Sequence, residues 1–103
     1  MKQKIMDGKT FLGIELGSTR IKACLIGDTY MPIAQGFYEW ENKYEDGYWT
    51  YSIDEIHKGT KECFSSLKKD VFEKYGVDFC TTSAIGISGM MHGYLAFDKD
   101  DNL

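Results

Sequence analysis

The chain has 103 residues, of which 43% are hydrophobic and 15% aromatic, with a formal net charge of -4. That composition belongs to one compact folding domain and not to a disordered segment. Acidic and basic residues are interspersed without a basic stripe, and no apolar run reaches the length of a membrane helix, so neither nucleic acid nor membrane is an expected partner. Met1-Lys2-Gln3-Lys4-Ile5 has cations but no apolar stretch behind them, and no secretory leader is read there. Cys24, Cys63 and Cys80 are odd in number and lack C-x-x-C spacing, which argues against a disulfide framework or a zinc site. Three separate thiols suit a reducing cytoplasm.

In chain order, residues 1–9 read as a tail and 10–103 as one domain. Phe11-Leu12-Gly13-Ile14 is a buried strand ending at Glu15, followed by turn residues Gly17-Ser18-Thr19. Ile21 to Ile26 is a second strand, completing a hairpin. Ile33 to Trp40 is a third, with Pro32 at its start, where proline is tolerated. A polar and aromatic loop spans Glu41 to Tyr51. Ser52 with Glu55 three residues on is a capping-box signature. Ile53, Ile56, Thr60, Cys63, Phe64, Leu67, Val71 and Tyr75 then form one apolar stripe of an amphipathic helix, which Gly76 is placed to end. Ala84 to Ser88 is a fourth strand and Tyr94 to Phe97 a fifth. Asp98 to Asn102 reads as a turn, and a turn without a returning strand suggests a fragment boundary. The pattern predicts an α/β fold with a mixed sheet, a helical crossover and at least one helix-covered face.

Two stretches carry candidate chemistry. Glu15-Leu16-Gly17-Ser18-Thr19-Arg20 sets a carboxylate at a strand end, then a tight turn with hydroxyls, then a cation. Backbone N–H groups and hydroxyls of such a turn can meet phosphate oxygens, and the carboxylate can help to hold Mg²⁺. Arg20 is the only arginine, and arginine forks well onto phosphate. An ordinary hairpin with a polar tip accounts for this stretch equally well. It is neither a Walker A loop nor a dinucleotide fingerprint.

Ser88-Gly89-Met90-Met91-His92-Gly93 follows the fourth strand. Its glycines allow close backbone approach, His92 offers a donor and an acceptor to sugar hydroxyls, and the methionines can pack on a substrate's apolar face. By itself it also reads as a Gly-rich turn whose methionines fill core. Of the aromatics between Phe37 and Tyr51, most are expected to pack the third strand and its loop against the helix, with Trp49 the choice for a ligand contact. His57 lies on the polar side of the helix. Asp98-x-Asp100-x-Asn102 lacks the glycine and glutamate of a calcium loop.

Together these residues resemble the N-terminal domain of FGGY carbohydrate kinases, from about residue 10 onward. Phe11 to Thr19 looks like the family's opening strand and phosphate turn. Gly47-Tyr48-Trp49 looks like its tryptophan-containing approach segment, and Ile85 to Gly93 like its sugar-contact loop, in the xylulokinase-like form. The resemblance implies an actin-like ATPase or ribonuclease-H-like fold, here a partial domain with a mixed five-stranded sheet, and an ATP- and Mg²⁺-dependent sugar kinase acting on a ketopentose such as xylulose or ribulose. It places Glu15 by the metal, Gly17, Ser18, Thr19 and Arg20 at the ATP phosphates, and Met91 and His92 at the sugar; Met90 in the same loop and Trp49, the choice from the aromatic segment, complete the candidate sugar contacts. Glu15 stands where the family has aspartate, and Met90 where xylulokinase-like members have glutamine. The family's catalytic aspartate falls beyond residue 103, so no catalytic residue is expected in this chain, which alone would be inactive. Two alternatives stay open: a kinase for glycerol or another polyol, against which His92 speaks mildly, and a non-catalytic sugar- or nucleotide-binding module. A helix stripe awaiting the rest of the protein also implies self-association.

Overall fold

A computed structural model of the protein describes residues 1–40, 43–45, 48–50, 52–89 and 97–102. Period-two alternation of apolar residues lays down its sheet. β1 (Phe11–Leu16), β2 (Arg20–Ile26) and β3 (Pro32–Glu39) form an antiparallel meander. Ile21, Ala23 and Leu25 turn to one face and are buried, while Arg20, Lys22 and Cys24 alternate to the other. β6 (Ala84–Ser88) joins the far side of β1 in parallel, giving the order β3-β2-β1-β6. A parallel neighbour requires a crossover, and the 23-residue helix α2 (Ile53–Tyr75) provides it.

The ends of α2 follow the sequence signals. Ser52 accepts a hydrogen bond from the Glu55 backbone N–H (3.0 Å), and Gly76 closes the helix in the left-handed conformation, its N–H on the Phe72 carbonyl. Glu55 does not spend its carboxylate on the cap: Oε1 accepts from the Tyr38 hydroxyl at 2.6 Å. The buried stripe is Gly59, Cys63, Leu67 and Val71, narrower than the hydropathy pattern suggests, because α2 rests on β3 and β2 and leaves Phe64 at the margin. At the crossing the backbones nearly touch. A Cβ on Gly36 would stand 2.5 Å from Leu67 N, and one on Gly59 2.6 Å from the Tyr38 ring.

Other parts depart from the sequence reading. The first nine residues carry a short helix, α1 (Lys2–Met6), whose Ile5 is fully buried. The aromatic loop contains a small antiparallel ribbon, β4 (Lys43–Glu45) with β5 (Tyr48–Thr50). The sheet has four strands among the described residues; the expected fifth, at 94–97, falls mostly on residues 94–96, which lie outside them, and Phe97 is in no strand. The turn at Asp98 forms as read. Asp98 Oδ1 accepts from the Asp100 and Asn102 backbone N–H groups (2.8 and 2.9 Å), bonds that hold its carboxyl below the usual carboxylate range.

Candidate functional site

Glu15 and Ser88, with which the two sequence motifs begin, sit at the same end of the sheet, because β1 and β6 run in parallel. Glu15 pairs in register with Ser88, the residue that opens the Gly-rich loop, and on its other side with Lys22 of β2. The row Phe37–Lys22–Glu15–Ser88 thus crosses all four strands on the face turned away from α2. Neighbouring strands are ~4.8 Å apart, so residues 73 positions apart in sequence become direct neighbours.

That register is set at the opposite end of the strands. Ser83 N–H and Thr82 Oγ1 both donate to the Thr10 carbonyl (2.8 and 2.7 Å), Thr10 and Thr82 hydroxyls meet at 3.0 Å, and Ser83 Oγ donates to the Gly8 carbonyl at 2.6 Å. Thr10 is fully buried with its hydroxyl satisfied, as a buried polar group must be.

The hairpin tip is tight. Gly17 N–H donates to the Arg20 carbonyl at 3.0 Å. A Cβ on Gly17 would approach that carbonyl to 2.9 Å and Glu15 Oε1 to 3.9 Å, so glycine is needed here for space, and the Glu15 carboxylate lies close to the turn. Arg20 opens β2 with its guanidinium over the Phe37 ring, 5.1 Å from the centroid, and Lys22 Nζ lies 5.9 Å from the same ring. Two cations and two carboxylates, Glu15 and the Arg20 partner Glu39, therefore share this face. Ion pairs among the described residues join other groups, so Glu15 is not held in one.

Below the row a groove of about 490 Å³ opens, lined by Gly13, Glu15, Lys22, Cys24, Gly86 and Ser88 among others. Gly13 and Gly86 are register partners on its floor. A Cβ on Gly86 would meet nothing within 4 Å, and one on Gly13 only the Cys24 carbonyl at 3.9 Å. Packing leaves room for side chains there, and their absence keeps the floor open.

Of the sequence candidates, Glu15, Gly17, Ser18, Thr19 and Arg20 come together at this sheet end. Met90, Met91 and His92 lie outside the described residues. Trp49 belongs to the backbone of β5, and its side chain is likewise outside them. His57 is exposed on α2, as read. Among the described residues no group of three or more His, Cys, Asp and Glu forms a metal cluster.

Lys22 and Trp40 are not among the candidates the sequence offers. Lys22 was within reach: a turn at 17–20 pairs Glu15 with Lys22 automatically. Trp40 was not, because its place depends on the β2–β3 register. It is 5% exposed, and its indole Nε1–H donates to the Gly17 carbonyl at 2.8 Å.

The family model described as "FGGY family of carbohydrate kinases, N-terminal domain" matches residues 10–103. The chain belongs to the FGGY family. Its mixed sheet and crossover helix are those of the family's actin-like, ribonuclease-H-like N-terminal domain. A solved structure similar to the chain is a "xyloylose kinase from Brucella ovis", with a TM-score of 0.68 and 24% identity, covering 90% of this chain and 19% of that one. At that identity the likeness is one of fold, and the chain spans about a fifth of that kinase's length. No protein with a curated description matches the FGGY chain.

Proposed function

We propose that this chain supplies the phosphate turn and the start of the sugar-contact loop of an ATP-dependent sugar kinase acting on a ketopentose, xylulose or ribulose. The observation that carries the reading is the parallel pairing of Glu15 with Ser88. It brings a carboxylate-and-turn motif and a Gly-rich loop to neighbouring strand ends, where two reacting groups would have to meet. In α/β sheets, ligands gather outside such ends.

The residues present fit Mg-ATP. Magnesium is usually held by one or two carboxylates with substrate phosphates and water completing its shell. Glu15 offers one carboxylate beside the turn, and the described residues build no all-protein cage that would suit another metal. Bound ATP supplies the phosphoryl group. The chain's own residues orient it: Gly17, Ser18 and Thr19 present the turn, while Arg20 and Lys22 add positive charge on the same face. Met90, Met91, His92 and Trp49 contact the sugar on this reading. The general base is not among these 103 residues, so the chain alone transfers no phosphate. The free thiols of Cys24, Cys63 and Cys80 support a cytoplasmic location.

The test is ADP release by the full-length protein with Mg-ATP and a panel of ketopentoses, aldoses and polyols. Ketopentose-dependent release supports the proposal, and preference for glycerol would redirect it to a polyol. No release from folded protein would favour a binding module instead, with Glu15→Asp the first reversion to make.

A further inference from the structure

Trp40 holds the turn at Gly17 to Arg20 from outside it by two hydrogen bonds. The Trp40 backbone N–H donates to the Thr19 carbonyl at 3.1 Å, and its indole N–H to the Gly17 carbonyl at 2.8 Å. The indole is buried in the main core cluster, so water competes little for the second bond.

Peptide geometry gives these bonds a consequence. In a trans peptide the C=O and N–H point in opposite directions, and the described chain has no cis bonds. Drawing the Gly17 carbonyl to the indole turns the Ser18 N–H away from it. Drawing the Thr19 carbonyl to the Trp40 backbone does the same for the Arg20 N–H. Trp40 continues the alternation of Gly36 and Tyr38, which contact α2. The Gly17 carbonyl is therefore pulled toward the helix side, whereas the Thr19 carbonyl points across the sheet toward β3. The Ser18 N–H is turned toward the side bearing Glu15, Arg20 and Lys22. Without the indole bond, the Gly17–Ser18 peptide has one fewer restraint against rotating, and a rotated peptide would present a carbonyl where an anion needs a donor.

We propose that Trp40 is a positioning residue for polyphosphate binding, whose indole N–H fixes the orientation of the Gly17–Ser18 peptide. The proposal rests on the kinase reading above. It differs from simple core filling in depending on one hydrogen atom.

The test replaces Trp40 in the full-length protein with 3-(benzothiophen-3-yl)alanine, which keeps the shape and puts sulfur where the N–H was. The backbone bond to Thr19 is untouched. Trp40→Phe serves as a second, genetically simple variant. Binding of Mg-ATP and of the preferred sugar are measured by titration calorimetry, together with steady-state KM and kcat. Loss of one well-buried donor predicts a rise of about tenfold in Kd and KM for Mg-ATP, with the sugar KM and the unfolding temperature essentially unchanged. Unchanged Mg-ATP affinity in the folded isostere would overturn the proposal and leave the kinase reading standing. Equal weakening toward sugar and ATP, with a lowered unfolding temperature, would also overturn it, by showing a structural role only. Absence of Mg-ATP binding in the wild-type protein would overturn both, and is recognised because it precedes any substitution.

Discussion

Gly36→Ala tests the helix–sheet junction on which the site is built. At Gly36 the strand backbone lies against the Cys63–Leu67 turn of α2. An added Cβ would overlap the Cys63 carbonyl and lie 2.5 Å from Leu67 N and 2.9 Å from Leu67 Cα. These are backbone atoms that cannot swing aside. To restore ordinary contact at 3.4 Å with the nearest of these atoms, the helix must retreat by about 1 Å. The retreat loosens Cys63, Leu67 and Val71, all essentially inaccessible to water. It also weakens the Cys63 thiol's 3.5 Å bonds to the Ile21 and Gly36 carbonyls. A radial gap of roughly 0.5–1 Å forfeits a quarter to a half of the dispersion attraction across it.

Overpacking of this kind costs ~1–3 kcal/mol, and the backbone-to-backbone overlap puts Gly36→Ala at the upper end. For a domain of about 100 residues, each kcal/mol moves the midpoint by roughly 4–8 °C, so a fall of about 12–24 °C is expected. Thermal unfolding by circular dichroism, with urea titration followed by tryptophan fluorescence, measures it. Gly86→Ala is the control: its Cβ meets nothing within 4 Å, and the stiffer unfolded chain predicts a gain of ~0.4–1 kcal/mol. If Gly36→Ala unfolds at the wild-type midpoint, the close approach of α2 to β3 is wrong.

Gly17→Ala forces a Cβ to 2.9 Å from the Arg20 carbonyl, and Mg-ATP affinity in the full-length protein is expected to fall about tenfold if the opened tip loses one hydrogen bond to phosphate; unchanged affinity by calorimetry would count against the phosphate turn. The hydrogen bond to Glu55 raises the Tyr38 hydroxyl to about 12, so its stabilising contribution is complete below pH ~10, the unfolded value, and is lost as pH rises through the folded one. Absorbance titration at alkaline pH should show a late tyrosinate step that Glu55→Gln moves earlier; a profile indifferent to that change would refute the assignment. β6 lies at the edge of the described sheet with Ile85 59% and Ile87 70% exposed, and the 103-residue chain alone is expected to associate with rising concentration. Sedimentation velocity showing a monomer throughout would dismiss that.

The features legible in sequence were those with a local cause. Ser52 and Gly76 mark the ends of α2 because capping is a matter of three or four residues. Short apolar runs bounded by turn residues mark β1, β2 and β6. Gly59 escaped notice because glycine carries no hydropathy signal, though it lets the Tyr38 ring approach the helix. Helix α1 has a single buried apolar residue, Ile5, too little for a period to be seen, and β4 and β5 are three residues each. At the site, the Glu15–Arg20 motif was readable as a strand end and turn. Its pairing with Ser88 and its tether to Trp40 were not, since each depends on register between strands far apart in sequence.

The placement of the site is decided away from the site. Pairing of β1 with β6 slipped by one residue would move Ser88 along Glu15 by ~3.3 Å and send β6's side chains to opposite faces. The local residues do little to prevent this: Gly13 and Gly86 have no side chains to interlock, and α2 does not cover β6. The fixed points are at the other end, where Thr82 and Ser83 hold the Thr10 and Gly8 carbonyls by three hydrogen bonds and the Thr10 and Thr82 hydroxyls make a fourth. With an open glycine floor, the register rests on the backbone ladder and on these bonds at its start. On the kinase reading proposed above, the hydroxyls beyond the strands' N-terminal ends act through geometry alone, setting Glu15 beside Ser88.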